Sequence, residues 1–191
     1  MDIGIPLEVH DRVKKALARI PGFRSSSEEP SVWMPESPKW LEVNFMGIDA
    51  SILDAADSRV FEDPDLPLMV FGPLSLLRPG KPVMVEGMAV PVPFLAGLLL
   101  EKLVTERSGV KGDRDLLVAL GLLLLSRDDD LEEAAVLFRT LPPELRYAVR
   151  SNLTVLSLME PVPGMPDPRP HRRLVAALLR RLEEQNSGED L

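Results

Sequence analysis

Proline placement constrains this chain more than any other feature. Its nineteen prolines fall mostly between Pro21 and Pro93 and between Pro142 and Pro170. A proline lacks a backbone donor and disfavours helix in the residue before it, so the proline-dense stretches favour short strands, turns and connectors. The interval that lacks prolines is free to be helical. Three parts are therefore expected: an α+β part over 1–92, a helical part over 93–160 packed on it, and a proline-rich connector with a C-terminal helix over 161–191.

In the first part, Val13, Ala16, Leu17 and Ile20 recur at helical spacing behind Pro6, with Asp11, Arg12, Lys14, Lys15 and Arg19 between them. This pattern predicts an amphipathic helix over 6–20. Residues 24–30, rich in Ser and Glu, read as a loop, and 31–34 with 40–46 carry the composition of a hairpin. The period of two within 40–46 places Leu41, Val43 and Phe45 on one face and Glu42 and Asn44 on the other. Residues 49–66 hold six acids against Arg59 alone. Their weak periodicity suggests a surface loop with short helical turns. Residues 83–86 and 88–91 look like two strands joined at Gly87, completing a small, mixed or mostly antiparallel sheet.

From residue 94 the composition turns to Leu, Ala and Val, and helices are expected over 94–107, 113–126, 131–141 and 142–158. Asp113 suits the cap of the second, Asp129 with Glu132 a capping box for the third, and Pro142 and Pro143 the first turn of the fourth. Gly121, which costs a helix about 1 kcal/mol relative to Ala, suggests a close helix–helix contact. A final helix over 171–184 carries Arg172, Arg173, Arg180 and Arg181 beside a leucine stripe, which reads as a solvated face. The fold class expected is α+β, a small sheet with helices followed by a helical C-terminal half.

Composition then excludes whole chemistries. There is no cysteine, which removes disulfides, thiolate metal sites and cysteine nucleophiles. His10 and His171 are the two histidines, and neither has a sequence setting that suggests a metal or a catalytic triad. Twenty-two Lys and Arg against thirty Asp and Glu give a net charge of −8, which argues against an extended nucleic-acid surface. The most apolar stretches, 91–100 and 116–125, are shorter than the roughly 20 residues of a membrane span, and no apolar leader opens the chain. A cytoplasmic protein without a membrane anchor is expected. Trp33 and Trp40 read as packing at the sheet edge, and Asp128–Asp130 as a helix start.

The richest run for chemistry is 99–117. It sets Glu101, Lys102, Glu106, Arg107, Lys111, Asp113, Arg114 and Asp115 between two apolar helices. Charges between core helices are either solvated at a cleft or internally paired, because an unpaired buried charge costs several kcal/mol. Two readings follow. Lys102, Lys111 and Arg114 face a phosphate with Asp113 and Asp115 orienting them, or the run is a helix–loop–helix turn with surface ion pairs.

The order of these features resembles the nucleotidyltransferase-like proteins related to abortive-infection toxins, a branch of the polymerase β nucleotidyltransferase superfamily. The resemblance rests on the strand pair with its Gly87 turn, a helix bearing Lys102, then Arg107, then Lys111 to Leu116 opening a second helix. It implies nucleotidyl transfer from a magnesium-bound nucleoside triphosphate. Lys102 and Lys111 would hold phosphates, and Asp115 would position Lys111 or Arg107. The family also uses a Gly-Ser loop, an Asp-x-Asp pair on a strand and a third carboxylate on a neighbouring strand. In this sequence the pair corresponds to Asp2 and Gly4, and the third acid to Asn44, or to Glu42 two residues away. Metal binding then falls to Asp2 and Glu42, and a degenerate, weak or inactive site is expected. Truncation ahead of Met1 would explain a missing Gly-Ser loop but not Gly4 and Asn44. The competing expectation is a non-catalytic interaction or regulatory protein with a protein partner, such as one component of a defence or toxin–antitoxin-like system.

Overall fold

A computed structural model of the protein describes residues 2–49, 51–52, 57–77, 80–104 and 110–184, with Ser75, Val110, Lys111 and Glu184 described by backbone alone. It is an α+β protein with two compact units, Met1–Ser75 and Leu76–Leu191.

In the first unit, β1 (Asp2–Pro6) leads through a short 3-10 turn into helix α1 (His10–Leu17). Strands β2 (Phe23–Ser25), β3 (Val32–Pro35), β4 (Val43–Ile48), β5 (Ser58–Phe61) and β6 (Leu68–Phe71) follow. They form a mixed sheet in the order β2-β3-β4-β6-β5, with β1 added on β4. Strand β4 organises it. It runs parallel to β1 in the register Asp2↔Asn44 to Pro6↔Ile48, antiparallel to β3 at Val43 and Asn44, and parallel to β6 at Met46 and Gly47. The sheet buries Ile5, Val43, Phe45 and Leu68 together with Leu17 of α1 and Leu66, and Leu7, Val13, Phe23, Trp33 and Phe61 pack around them. This apolar burial is the main stabilising term.

Several expectations change here. Leu41 and Glu42 precede β4 and are exposed, so the alternation begins at Val43, where pairing with Trp33 starts. Helix α1 stops at Leu17, leaving Ile20 outside it and exposed. Within the acidic stretch, Ser58–Phe61 is an edge strand rather than loop, paired with β6 in the register Val60↔Met69. Its periodicity is weak because Ser58, Arg59 and Val60 are all exposed at the sheet margin. Strand β2, expected as part of a loop, pairs with β3. Trp40 stacks on Phe23 with ring centres 5.5 Å apart, and Trp33 meets Phe45 edge-on at 6.2 Å, so both tryptophans do pack on the sheet. Gly22 has φ +81°, and a Cβ there would fall 2.5 Å from the Trp40 ring.

The second unit opens with β7 (Val83–Val85) and β8 (Met88–Val90), a separate two-stranded ribbon rather than the completion of the first sheet. Its turn places Glu86 at φ 48° and Gly87 at φ 81°, the paired left-handed conformation of a type I′ hairpin. Every residue from Lys81 to Pro91 is exposed, including Val83, Met84, Val85, Met88 and Val90.

Helices α2 (Leu95–Val104), α3 (Val110–Leu125), α4 (Asp128–Thr140), α5 (Pro143–Leu158) and α6 (Arg172–Glu184) complete the unit. Their core includes Leu99, Leu100, Leu103, Leu117, Leu120, Phe138, Val149, Leu153, Leu156 and Leu182. Helix α3 starts at Val110, so Asp113 lies in its first turn, where its charge favours the helix dipole, rather than at its cap. At the start of α4 the Asp130 carboxylate accepts from the Arg127 backbone N–H at 2.8 Å, two residues ahead of the expected pairing of Asp129 with Glu132. Gly121 does not mark a tight contact, since a Cβ there would have only Pro166 at 3.8 Å. Gly97 does: a Cβ on it would fall 2.0 Å from the Leu76 carbonyl oxygen. Among the described residues no helix is long and apolar enough to cross a membrane.

Candidate functional site

The parallel pairing of β1 and β4 puts Asp2 beside Asn44, the two positions at which the resemblance expects metal-binding acids. The Asn44 amide Nδ2 donates to Asp2 Oδ1 at 3.3 Å. An ionised carboxylate accepts readily from an amide, whereas a second carboxylate in that place would repel it. At Gly4 the Ile48 side chain fills the space a Cβ would take, with its Cδ1 2.5 Å away. Glu42 is exposed ahead of the strand and already engaged in an interaction of its own. As a magnesium clamp this donor set falls short. It offers one carboxylate bonded to an amide, an apolar methyl at the second position, and a third acid displaced from the strand. Magnesium demands oxygen ligands in near-octahedral geometry and sheds water reluctantly, so these residues do not fit it.

The expected phosphate-binding residues belong to the second unit. Lys102 Nζ lies 3.2 Å from Glu101 Oε2, its neighbour on α2, and both side chains are largely buried. The lysine charge is thus balanced within its own helix. Asp115 is half-buried on α3 and has a partner of its own. Arg107 lies outside the described residues, and Lys111 is described by backbone alone, at the start of α3. In the described part of the charged run Lys102 pairs with Glu101, and Asp113 and Arg114 are exposed on the first turn of α3.

The structure also assembles a cluster that the sequence setting of His10 did not suggest. His10 begins α1 and is 2% exposed. Its Nε2 lies 2.9 Å from the Leu66 carbonyl oxygen, and its ring tilts against Phe61 with centres 4.7 Å apart. Its Nδ1 lies 3.7 Å from Asp11 Oδ1. Asp63 approaches from the loop between β5 and β6, and ligand-capable atoms of His10, Asp11 and Asp63 all lie within 4.8 Å of one another. Asp63 is held firmly: its Oδ1 accepts from the backbone N–H groups of Asp65 and Leu66 at 2.9 Å each, and Lys14 Nζ donates to Oδ2 at 2.7 Å. The Lys14 ammonium, helped by those backbone donors, lowers the Asp63 carboxyl from 3.8 to about 2 against the opposing effect of burial. Lys14 in turn is raised, chiefly by its hydrogen bond to Asp63. The signals available for this cluster were the Asp-Pro-Asp at 63–65, which favours an Asx turn, and the adjacent His10-Asp11 at a helix start. Neither says that the two segments meet.

Comparison with known proteins adds no relative: no family model, curated protein or solved structure matches this chain.

Proposed function

We propose that this chain is a nucleotidyltransferase-like protein without nucleotidyl transfer, acting in the cytoplasm as an interaction or regulatory component with a protein partner, for example in a two-component defence system. The observation that carries this reading is the Asn44 amide bonded to Asp2, where transfer chemistry calls for a second negative oxygen ligand. The pairing of Lys102 with Glu101 supports it, because a phosphate would have to compete with an acid already in place. A nucleoside triphosphate with magnesium would then have Asp2 and Glu42 as its acids, too few charges to draw the ion from water. Calorimetry of the intact chain with magnesium-ATP tests the reading. The expected dissociation constant is about 1 mM or weaker, roughly −4 kcal/mol or less favourable. Micromolar, magnesium-dependent binding would overturn it.

A further inference from the structure

We propose that His10, Asp11 and Asp63 form a binding site for a divalent transition-metal ion of the zinc class. The site lies within the first unit, shares no residue with the Asp2 and Asn44 pair, and does not depend on the function proposed above.

The argument starts from the tautomer. A carbonyl oxygen only accepts, so the contact with Leu66 requires the proton on Nε2 and leaves the Nδ1 lone pair as the free corner of a neutral ring. Nδ1 lies 3.7 Å from the Asp11 carboxylate, with an Asp63 oxygen in the same small space. Nδ1 and the Asp11 and Asp63 oxygens are three acceptors in one small space, and the Lys14 ammonium on Asp63 Oδ2 balances one of the two carboxylate charges. The imidazole that carries Nδ1 is 2% exposed and packed on Phe61, so its position is fixed. A metal ion satisfies all three lone pairs at once.

Local charge favours a dication. Asp11, Asp63 and Asp65 supply three carboxylates, and Lys14 supplies the nearby ammonium, 2.7 Å from Asp63 and 3.6 Å from Asp65. The supporting contacts are ones that a metal centre can use. A ligating histidine typically donates its other ring N–H to a carbonyl, which fixes the ring, and ligating carboxylates are themselves held by hydrogen bonds. Leu66 does the first for His10, and the N–H groups of Asp65 and Leu66 do the second for Asp63. A separation of 3.7 Å between two ligand atoms is close to the edge of a tetrahedron around an ion with bonds of about 2.1 Å. One imidazole nitrogen and two carboxylates select zinc or a neighbouring first-row ion over magnesium and calcium, and leave a coordination position for water. Asp11, at 84% side-chain exposure, gives the site its open side. Lys14 is the built-in competitor, occupying one Asp63 oxygen and repelling the ion.

Titration of the intact chain with zinc chloride, followed by calorimetry and thermal melting, tests the site. One zinc per chain is expected to bind in the micromolar range and raise the melting temperature, since a ligand of the folded state stabilises it by mass action. Asp11→Asn is the decisive variant, because an exposed residue can change without unfolding the chain; it should weaken zinc at least tenfold with the zinc-free melt unchanged. Lys14→Met should tighten zinc several-fold. His171→Ala should bind as the parent does. The proposal is overturned by absence of zinc binding, by parent-like affinity in Asp11→Asn, by unchanged affinity in Lys14→Met, or by loss of binding in His171→Ala.

Discussion

Asp2 and Asn44 are register partners on adjacent parallel strands, and the Asn44 amide donates to the Asp2 carboxylate at 3.3 Å. Across two strands separated by the whole of α1, β2 and β3, a single amide converts what would be two facing acids into a hydrogen-bonded pair. Asn44→Asp restores the repulsion. It is expected to lower stability by about 0.5–1 kcal/mol at low salt, as like charges placed opposite each other on a sheet do. The deficit should shrink with added salt, which screens it. Urea midpoints of parent and variant, with and without magnesium, check this. Magnesium should shift neither.

The two glycines of the helical unit should respond in opposite directions. Gly121→Ala meets only Pro166 at ordinary contact distance and removes a glycine from a helix, so a gain of about 0.5–1 kcal/mol is expected. Gly97→Ala drives a methyl into the Leu76 carbonyl and the Phe94 ring, and the first of these is backbone. Helix α2 must shift, and a loss on the order of 2 kcal/mol or more is expected. Thermal melts of the two variants separate the outcomes, and equal shifts would contradict the packing described here.

Acid should weaken the first unit through Asp63. Its carboxyl ionises near pH 2 in the folded chain and near 3.8 when free. The folded state therefore holds fewer protons than the unfolded one across that interval. The stability this carboxylate supplies is complete above about pH 5 and is lost as pH falls from about 4 towards 2. Lys14→Met removes the main cause of the shift and should flatten that part of the stability–pH curve, as read by denaturant titrations at pH 5, 3.5 and 2.5. A curve as steep as the parent's would show that the ion pair does not govern it.

Phe138 anchors α4, fully buried, with the Arg150 guanidinium 5.5 Å above its ring. Phe138→Ala should cost about 3–5 kcal/mol through the cavity it leaves. Tyr147→Ser, at a residue 73% exposed on α5, should stay within about 0.5 kcal/mol of the parent. Chemical denaturation monitored by helical circular dichroism compares the two.

What the sequence revealed follows the range of the interactions involved. Helices α2 to α6 were legible because their signals are local: leucine-rich runs, the Pro143 first turn of α5, and the acids opening α4. The β7–β8 hairpin was legible through Glu86-Gly87, whose turn chemistry is local too. The sheet of the first unit was only half legible. Val43 and Phe45 alternate visibly, but β6 reads Leu-Met-Val-Phe, apolar throughout, and only its pairing with β4 decides that Leu68 and Val70 are buried while Met69 and Phe71 are exposed. The same holds for side-chain clusters. His10 and Asp63 are 53 positions apart, brought together by the return of the chain through β5 to β6, which no local pattern encodes. Gly121 and Gly97 were indistinguishable in sequence, because a tight approach depends on what passes outside the helix.

The exposed β7–β8 ribbon has a consequence for how this chain behaves at high concentration. A strand edge with free amide and carbonyl groups and valine and methionine side chains is a template on which another molecule can add a strand and begin a fibril. Here each edge offers only three residues. Pro82 stands directly before the first strand and Pro91 directly after the second, and neither has an amide hydrogen to extend a ladder. Any incoming strand reaches a terminator within about 10 Å, at roughly 3.3 Å per residue. The residues that break this sequence into zones also act there as gatekeepers against polymerisation.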